Sequence, residues 1–177
     1  MNDDHSLVAF TLDIGNTEVL TGAVKDMNTG QLLPGVKLDR IGQLEFGKGR
    51  KTLFYTETDE ETNRPNKVKK LDLETLKETS IYVDDDPTHY VDIGVTKDQK
   101  YLIISSNTKE DSEIWVISTD EKENAQSTVP IKLVPRVKDV RAHIDHLRDF
   151  FVTITTLGSK NKNYRIATLK DKYFDAN

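Results

Sequence analysis

Four apolar clusters recur along the chain at nearly constant spacing, and this recurrence limits the fold more than any other feature. They are LVAF (7–10), TLFY (52–55), YLII (101–104) and FFVT (150–153), and each follows a polar turn: NDDHS, GKGRK, TKDQK or DHLRD. With Val8, Leu53, Leu102 and Phe150 as anchors, the intervals are 45, 49 and 48 residues. After each cluster a polar connection leads to a second β-type run that ends in an acidic turn. The aspartates of these turns, Asp26, Asp72, Asp120 and Asp171, lie 18, 19, 18 and 21 residues beyond their anchors. Matching offsets at this period mark stacked supersecondary units, each too small to bury its own apolar face.

Two further β-type runs fill the space before the next anchor, TSIYVDD and YVDIGVT in the second unit, PIKLVPR and VRAHIDH in the third. Helical periodicity is almost absent, so each unit reads as four short strands joined by hairpin turns. The expected fold is all-β, a partial β-propeller of about three to four four-stranded antiparallel blades, with units at approximately 1–40, 41–89, 90–137 and 138–177. The middle strands carry consecutive apolar residues, as in Leu53-Phe54-Tyr55 and Ile114-Trp115-Val116-Ile117, which predicts burial on both faces. Leu53, Phe54, Leu102, Ile103, Trp115, Val116 and Phe151 are the expected core. A β-sandwich would need the same strands but not the repeated offsets. The Trp-Asp signature of one common propeller class is missing, since Trp115 is followed by Val116.

Composition narrows the function classes. A net charge of −5 with scattered basic residues argues against nucleic acid as a partner, and no apolar run approaches the roughly 20 residues of a membrane helix. The chain has no cysteine and no Asn-x-Ser/Thr acceptor, which favours a reducing, cytoplasmic setting.

No catalytic motif is visible. There is no Gly-x-Ser-x-Gly elbow and no thiol, and GQLEFGKGR has neither Walker spacing nor a following helix, so Gly47 and Gly49 read as turn glycines. His143 and His146 in HIDH are three apart and point to opposite faces of a strand, so they do not converge on a metal without a bulge. His5 and His89 read as loop residues. The acid runs 59–61 and 84–86 lack the pattern of a calcium loop and read as solvated turns. No cofactor, metal or catalytic residue is expected in this chain.

With the units laid out, the chain resembles the N-terminal propeller of the prolyl oligopeptidase family, most closely its oligopeptidase B branch. The resemblance rests on Asp4 to Pro34, with the patterns D-x-x-G-N-x-E and V-K-D-x-x-T-G-x-x-L-P, on TLFYTETDEETNRPNKVKKLDLET, on Tyr90 to Thr119, and on Asp145 to Asp171. It covers nearly the whole chain. The family usually has Ser-Pro where this chain has Asn2-Asp3, and aromatics near Leu20 and Asn66, so the chain reads as a divergent member, and a homologue without peptidase activity fits these changes too.

The resemblance implies a seven-bladed propeller that caps an α/β-hydrolase domain, admits short peptides and excludes folded proteins, in enzymes that cleave after Lys or Arg. At about 47 residues per blade the chain holds about half of such a ring. It then lacks the catalytic triad, is inactive alone, and has the remaining blades and the peptidase domain as partners. Its cut faces are expected to self-associate. A free-standing β-propeller-like interaction module is the alternative. Arg64, in TNRPNK, matches the family's Arg-Pro and is the one candidate site residue, for substrate gating or the domain interface; the plainer reading pairs it with Asp59, Glu60 or Glu61.

Overall fold

The structure, a computed structural model, describes residues 1–49, 51–120, 129–159 and 163–170. Among these, every regular element is a strand, and the strands form four antiparallel sheets. The first holds β1 (Leu7–Leu12), β2 (Thr21–Asp26) and β3 (Leu38–Asp39), and the second β4 (Ile41–Phe46), β5 (Thr52–Thr58), β6 (Pro65–Asp72) and β7 (Glu78–Val83). The third holds β8 (Tyr90–Val95), β9 (Tyr101–Asn107), β10 (Ser112–Ser118) and β11 (Ile131–Val134). The fourth holds β12 (Ala142–Leu147), β13 (Phe150–Thr155) and β14 (Arg165–Lys170). The chain meanders through each sheet in order, as in a propeller blade.

The apolar clusters are β1, β5, β9 and β13. The first sheet therefore begins at the second strand position and the fourth stops at the third, so two sheets have four strands and two have three. Four blade-like antiparallel sheets of three or four strands are the all-β, partial-propeller arrangement that the repeat predicts.

β5 shows why two-sided apolar runs make stacked sheets. Leu53 and Tyr55 point into a core shared with Leu7, Val24, Leu38 and Ile41 of the first sheet and the strand that follows it. Phe54, from the opposite face, joins Val68, Val91, Ile93, Leu102 and Ile104 in a core between the second and third sheets. Leu53, Phe54, Leu102, Val116 and Phe151 are buried as the sequence predicts. Ile103 and Trp115 are only half-buried. β9 alternates between buried and half-buried positions, and Ile103 takes the less covered face; Trp115 packs on the edge of the apolar layer, beside Tyr82 and beneath the Lys132 ammonium.

The acidic turns are built alike. Asp26 Oδ1 accepts the N–H groups of Asn28 and Thr29, and its carbonyl accepts that of Gly30. Asp72 does the same for Glu74, Thr75 and Leu76, and Asp59 for Glu61, Thr62 and Asn63. The residue that closes each corner is left-handed: Gly30 at φ 71°, Leu76 at 57° and Asn63 at 55°. An aspartate that caps its own turn explains why Asp-x-x-Thr recurs. Asp120 comes two residues after β10, and Asp171 lies outside the described residues. The turns that precede β1, β5, β9 and β13 also carry a left-handed residue: His5, Gly49, Gln99 and Arg148.

Candidate functional site

The densest polar cluster surrounds the connection between β7 and β8, residues 84–89, where the second and third sheets meet. Arg64 ends the β5–β6 hairpin, and its guanidinium is turned inward at 8% exposure. It donates to the His89 carbonyl at 2.6 Å and the Asp84 carbonyl at 3.3 Å. The plain sequence reading, a pair with Asp59, Glu60 or Glu61, is therefore corrected. The Asp59 carboxylate serves its own turn, and the buried guanidinium satisfies carbonyls of the next connection.

A second arginine closes the cluster from the other side. Arg136, between β11 and β12, pairs with Asp84, with Asp86 at 3.2 Å and with Glu113 at 3.0 Å. It also donates to Ser106 Oγ at 3.2 Å. Asp84 is 5% exposed and further accepts from the Ser106 and Tyr82 hydroxyls. Glu113 is held by Lys132 at 2.6 Å, whose ammonium lies 4.5 Å above the Trp115 ring. The run 84–86 is thus not a uniformly solvated turn: Asp85 is exposed, Asp86 half-buried and Asp84 a buried hub.

Electrostatics follow from this packing. Burial pushes the Asp84 carboxyl up, but the Ser106 hydroxyl, the Asp86 amide and the Arg136 guanidinium outweigh it and hold it below its ordinary value. Asp86 is held at about 2, first by the Thr88 hydroxyl and amide. Burial, reinforced by the Asp84 and Glu113 charges, pushes the Tyr82 phenol above its usual range. Arg136 loses some preference for charge to burial, and Asp84 more than restores it.

Beside the hairpin a cleft of about 520 Å³ opens between Asp39, Glu57, Asp59, Glu60 and Glu61, with Arg40 and Lys67 on its wall. Glu57 is engaged by Lys67 and Lys69, and Arg40 donates to the Asp59 carbonyl at 2.8 Å and Asn63 Oδ1 at 2.6 Å. The two histidines of HIDH do separate across the strand: His143 is exposed, while His146 is buried with Nδ1 2.6 Å from Asp98 Oδ2. Among the described residues no set of three or more His, Cys, Asp or Glu converges as a metal cage.

Sequence spacing did not single out Asp84, His89, Asp111, Glu113 or Arg136. The contacts that join them across the two sheets, Asp84 to Ser106 and Arg136, His89 to Asp111 and Glu113 to Arg136, span 22 to 52 residues and share no motif. The one local signal is Asp84-Asp85-Asp86-Pro87-Thr88-His89, a polar connection that runs directly into a strand between two sheets.

The arrangement holds the connections of the second and third sheets against one another. The family model of the prolyl oligopeptidase N-terminal β-propeller domain matches residues 1–173. Dipeptidyl aminopeptidase BI of Pseudoxanthomonas mexicana is 30% identical over 170 residues, 95% of this chain. Protease 2 of Moraxella lacunata is 29% identical over 168 residues, 91% of this chain. The chain spans 23% of the length of each. Oligopeptidase B from Leishmania major superposes with a TM-score of 0.85 at 25% identity, over 96% of this chain and 23% of that one. Four stacked sheets in repeat order, matched over nearly their whole length, place this chain in the N-terminal β-propeller domain of the prolyl oligopeptidase family, to which it belongs.

Proposed function

We propose that the chain forms part of the gating propeller of an oligopeptidase B-like serine peptidase, a cytoplasmic enzyme that admits short peptides and cleaves after Lys or Arg. The observation that carries this reading is the superposition on oligopeptidase B across 96% of the chain. The contribution of these residues is steric and electrostatic. Stacked sheets form a rigid wall, and the acidic cleft at Asp39, Glu60 and Glu61 has the charge to favour cationic peptides over anionic ones on approach. Arg64 acts here from within, by fixing the connection 84–89; its burial favours that over direct contact with a peptide.

The end sheets carry exposed apolar side chains, Leu12 on the first and Leu147, Ile154 and Ile166 on the fourth. On this reading the other blades of the parent cover them. Without those blades they drive self-association, since exposed apolar patches beyond a few hundred Å² are uncommon on soluble monomers.

The test is an assay of the full-length parent protein with an Arg-containing fluorogenic peptide and with a folded protein that carries the same exposed bond. Cleavage of the peptide alone, and gain of cleavage of the folded protein once the propeller is opened by mutation, is the expected result. A parent frame without a Gly-x-Ser-x-Gly elbow, or a parent that cleaves both substrates alike, points to the stand-alone interaction module instead.

A further inference from the structure

β8 is the free edge of the third sheet and pairs with β9 on one side only. β4 holds the same place in the second sheet and packs against β8, so the sheets converge at their first strands, the side on which a ring of blades encloses its central channel. The Ile93 N–H points away from β9, and by the two-residue repeat of a strand the backbone groups of Val91 and Val95 share that edge. The middle of β8 borders open space: Tyr90 and Asp92 are exposed, and a Cβ added at Gly94 would meet nothing within 4 Å. An extended polypeptide finds a template in such an edge.

Gln43 covers it. From across the second seam its Oε1 accepts the Ile93 N–H at 2.7 Å, and because a backbone N–H only donates, the amide oxygen and not the amide nitrogen must face it. A bulge in β4 aims the side chain there: Ile41 pairs with Glu57 and Leu44 with Tyr55, so Gly42 and Gln43 together oppose Thr56. The Thr56 hydroxyl accepts the Gln43 N–H at 2.8 Å, and Gly42 leaves room for it, since a Cβ there would lie 2.6 Å from that oxygen. The extra residue keeps Ile41, Leu44 and Phe46 on the face packed against the first sheet and turns Gln43 towards the third. Gln43 is itself exposed, so its amide reaches Ile93 from the open side and not from within the apolar layer. At the two ends of β8 other groups serve: the Arg64 guanidinium takes the His89 carbonyl at 2.6 Å, and the Asp145 carboxylate takes the Lys97 N–H at 3.0 Å. Those end ties hold the strand in place without Gln43, so what Gln43 adds is cover for the middle of the edge.

We propose that Gln43 is an edge guard: it occupies the Ile93 N–H so that an extended peptide passing along the inner wall does not pair with β8 as an added strand. The peptide in this statement rests on the gating reading above; the guard rests on the bulge and the hydrogen bond. Ladder hydrogen bonds to a strand edge are made by backbone and are indifferent to side chains, so an open edge would retain extended peptides of any sequence at a wall they have to pass. Gln43 supplies an acceptor from the protein itself and leaves the wall without that hold.

The test is binding of a fluorescently labelled peptide of alternating Thr and Val, without Lys or Arg, to the full-length parent protein, followed by anisotropy so that no turnover is needed. Gln43→Met, close in shape but without an acceptor, is expected to bind it about tenfold more tightly than the unmutated parent, and Gln43→Glu, whose carboxylate still accepts the N–H, no more tightly than the parent. N-methylation of every second peptide residue, which removes the donors of one strand edge, abolishes the gain. Residue-resolved hydrogen exchange gives a second readout: without peptide the Ile93 amide exchanges about tenfold faster in Gln43→Met than in the parent, and with peptide it is protected again. Equal affinity of parent and Gln43→Met, a gain shared by Gln43→Glu, a gain that survives N-methylation, or an unchanged Ile93 amide overturns the proposal. Should Gln43→Met fail to fold, Gln43→Ala takes its place in both measurements. A parent without peptidase activity overturns the gating reading instead, while binding and exchange still decide the guard.

Discussion

The seam between the first and second sheets and the seam between the second and third share one strand, β5, yet they are held differently. At the first seam Leu53 and Tyr55 meet Leu7, Val24 and Leu38 in an apolar layer, with the Ile41 N–H donating to the Leu20 carbonyl at 2.9 Å beside it. At the second, Phe54 enters a similar apolar layer, but directional ties surround it. The Gln43 side chain accepts the Ile93 N–H at 2.7 Å, the Lys48 N–H reaches the Thr119 carbonyl at 3.0 Å, and the two arginines clasp the connection 84–89. Apolar contact sets how closely two sheets approach and is indifferent to small slides; hydrogen bonds and charge pairs fix where the loops end up. The second seam therefore has a rim in which charged side chains clasp a connection, whereas the first is tied beside its apolar layer by backbone, the Ile41 N–H to the Leu20 carbonyl.

Exchanges on β5 test the apolar half of this contrast and carry the largest effects. Phe54→Ala opens a cavity at the second seam and is expected to cost about 4 kcal/mol, and Leu53→Ala at the first about 3 kcal/mol, both read from urea unfolding. Comparable costs would confirm that the apolar layers are equivalent and that the difference lies in the rim.

The rim comes next. Arg136→Met removes the shared partner of Asp84 and Glu113, and the uncompensated carboxylates are expected to cost about 3 kcal/mol; Lys132 still holds Glu113, which keeps the loss below that of a fully orphaned charge. Arg64→Met frees two carbonyls and is expected to cost about 2 kcal/mol. A loss under about 0.5 kcal/mol in both would reduce the rim to decoration, the usual outcome for exposed pairs.

Acid distinguishes the seams without mutation. Asp84 and Asp86 are held below the ordinary carboxylate range, so their contribution is complete above that range and disappears as pH falls through their lowered values. Acid unfolding followed by fluorescence should start at higher pH in Arg136→Met, where Asp84 loses a cation. Leu53→Ala should lower stability by the same amount at every pH, so its stability curve runs parallel to the parent's, whereas Arg136→Met changes the slope of that curve in acid. The smallest effect belongs to the exposed pair Lys51–Glu74 at 3.0 Å, where Glu74→Ala is expected to change stability by less than about 0.5 kcal/mol.

Much of the architecture was legible from spacing alone. Offsets between apolar anchors and aspartates located the second and third strands of each unit, because both features are local: a two-sided strand needs consecutive apolar residues, and the corner is made by its own aspartate. Arg64 was legible as a residue of interest, but not its partners. The rim resists reading because Asp84, Asp111 and Arg136 meet only after two sheets have stacked, and a buried hub aspartate has the same letter as its exposed neighbour Asp85. The order Asp84-Asp85-Asp86 holds one residue of each kind, buried, exposed and half-buried, in a run that reads as uniform.

The Asp-x-x-Thr corner has a consequence for how such a chain can change over generations. The bonds that shape the corners at Asp26, Asp59 and Asp72 lie inside six consecutive residues, closed by the aspartate N–H on the carbonyl of Gln31, Arg64 or Lys77. A copied segment therefore carries its own bend and inherits strand register without instruction from the rest of the molecule. Duplication or deletion of a whole unit can lengthen or shorten the array while each hairpin still turns correctly. What a new copy must acquire afterwards is only the rim that ties it to its neighbour.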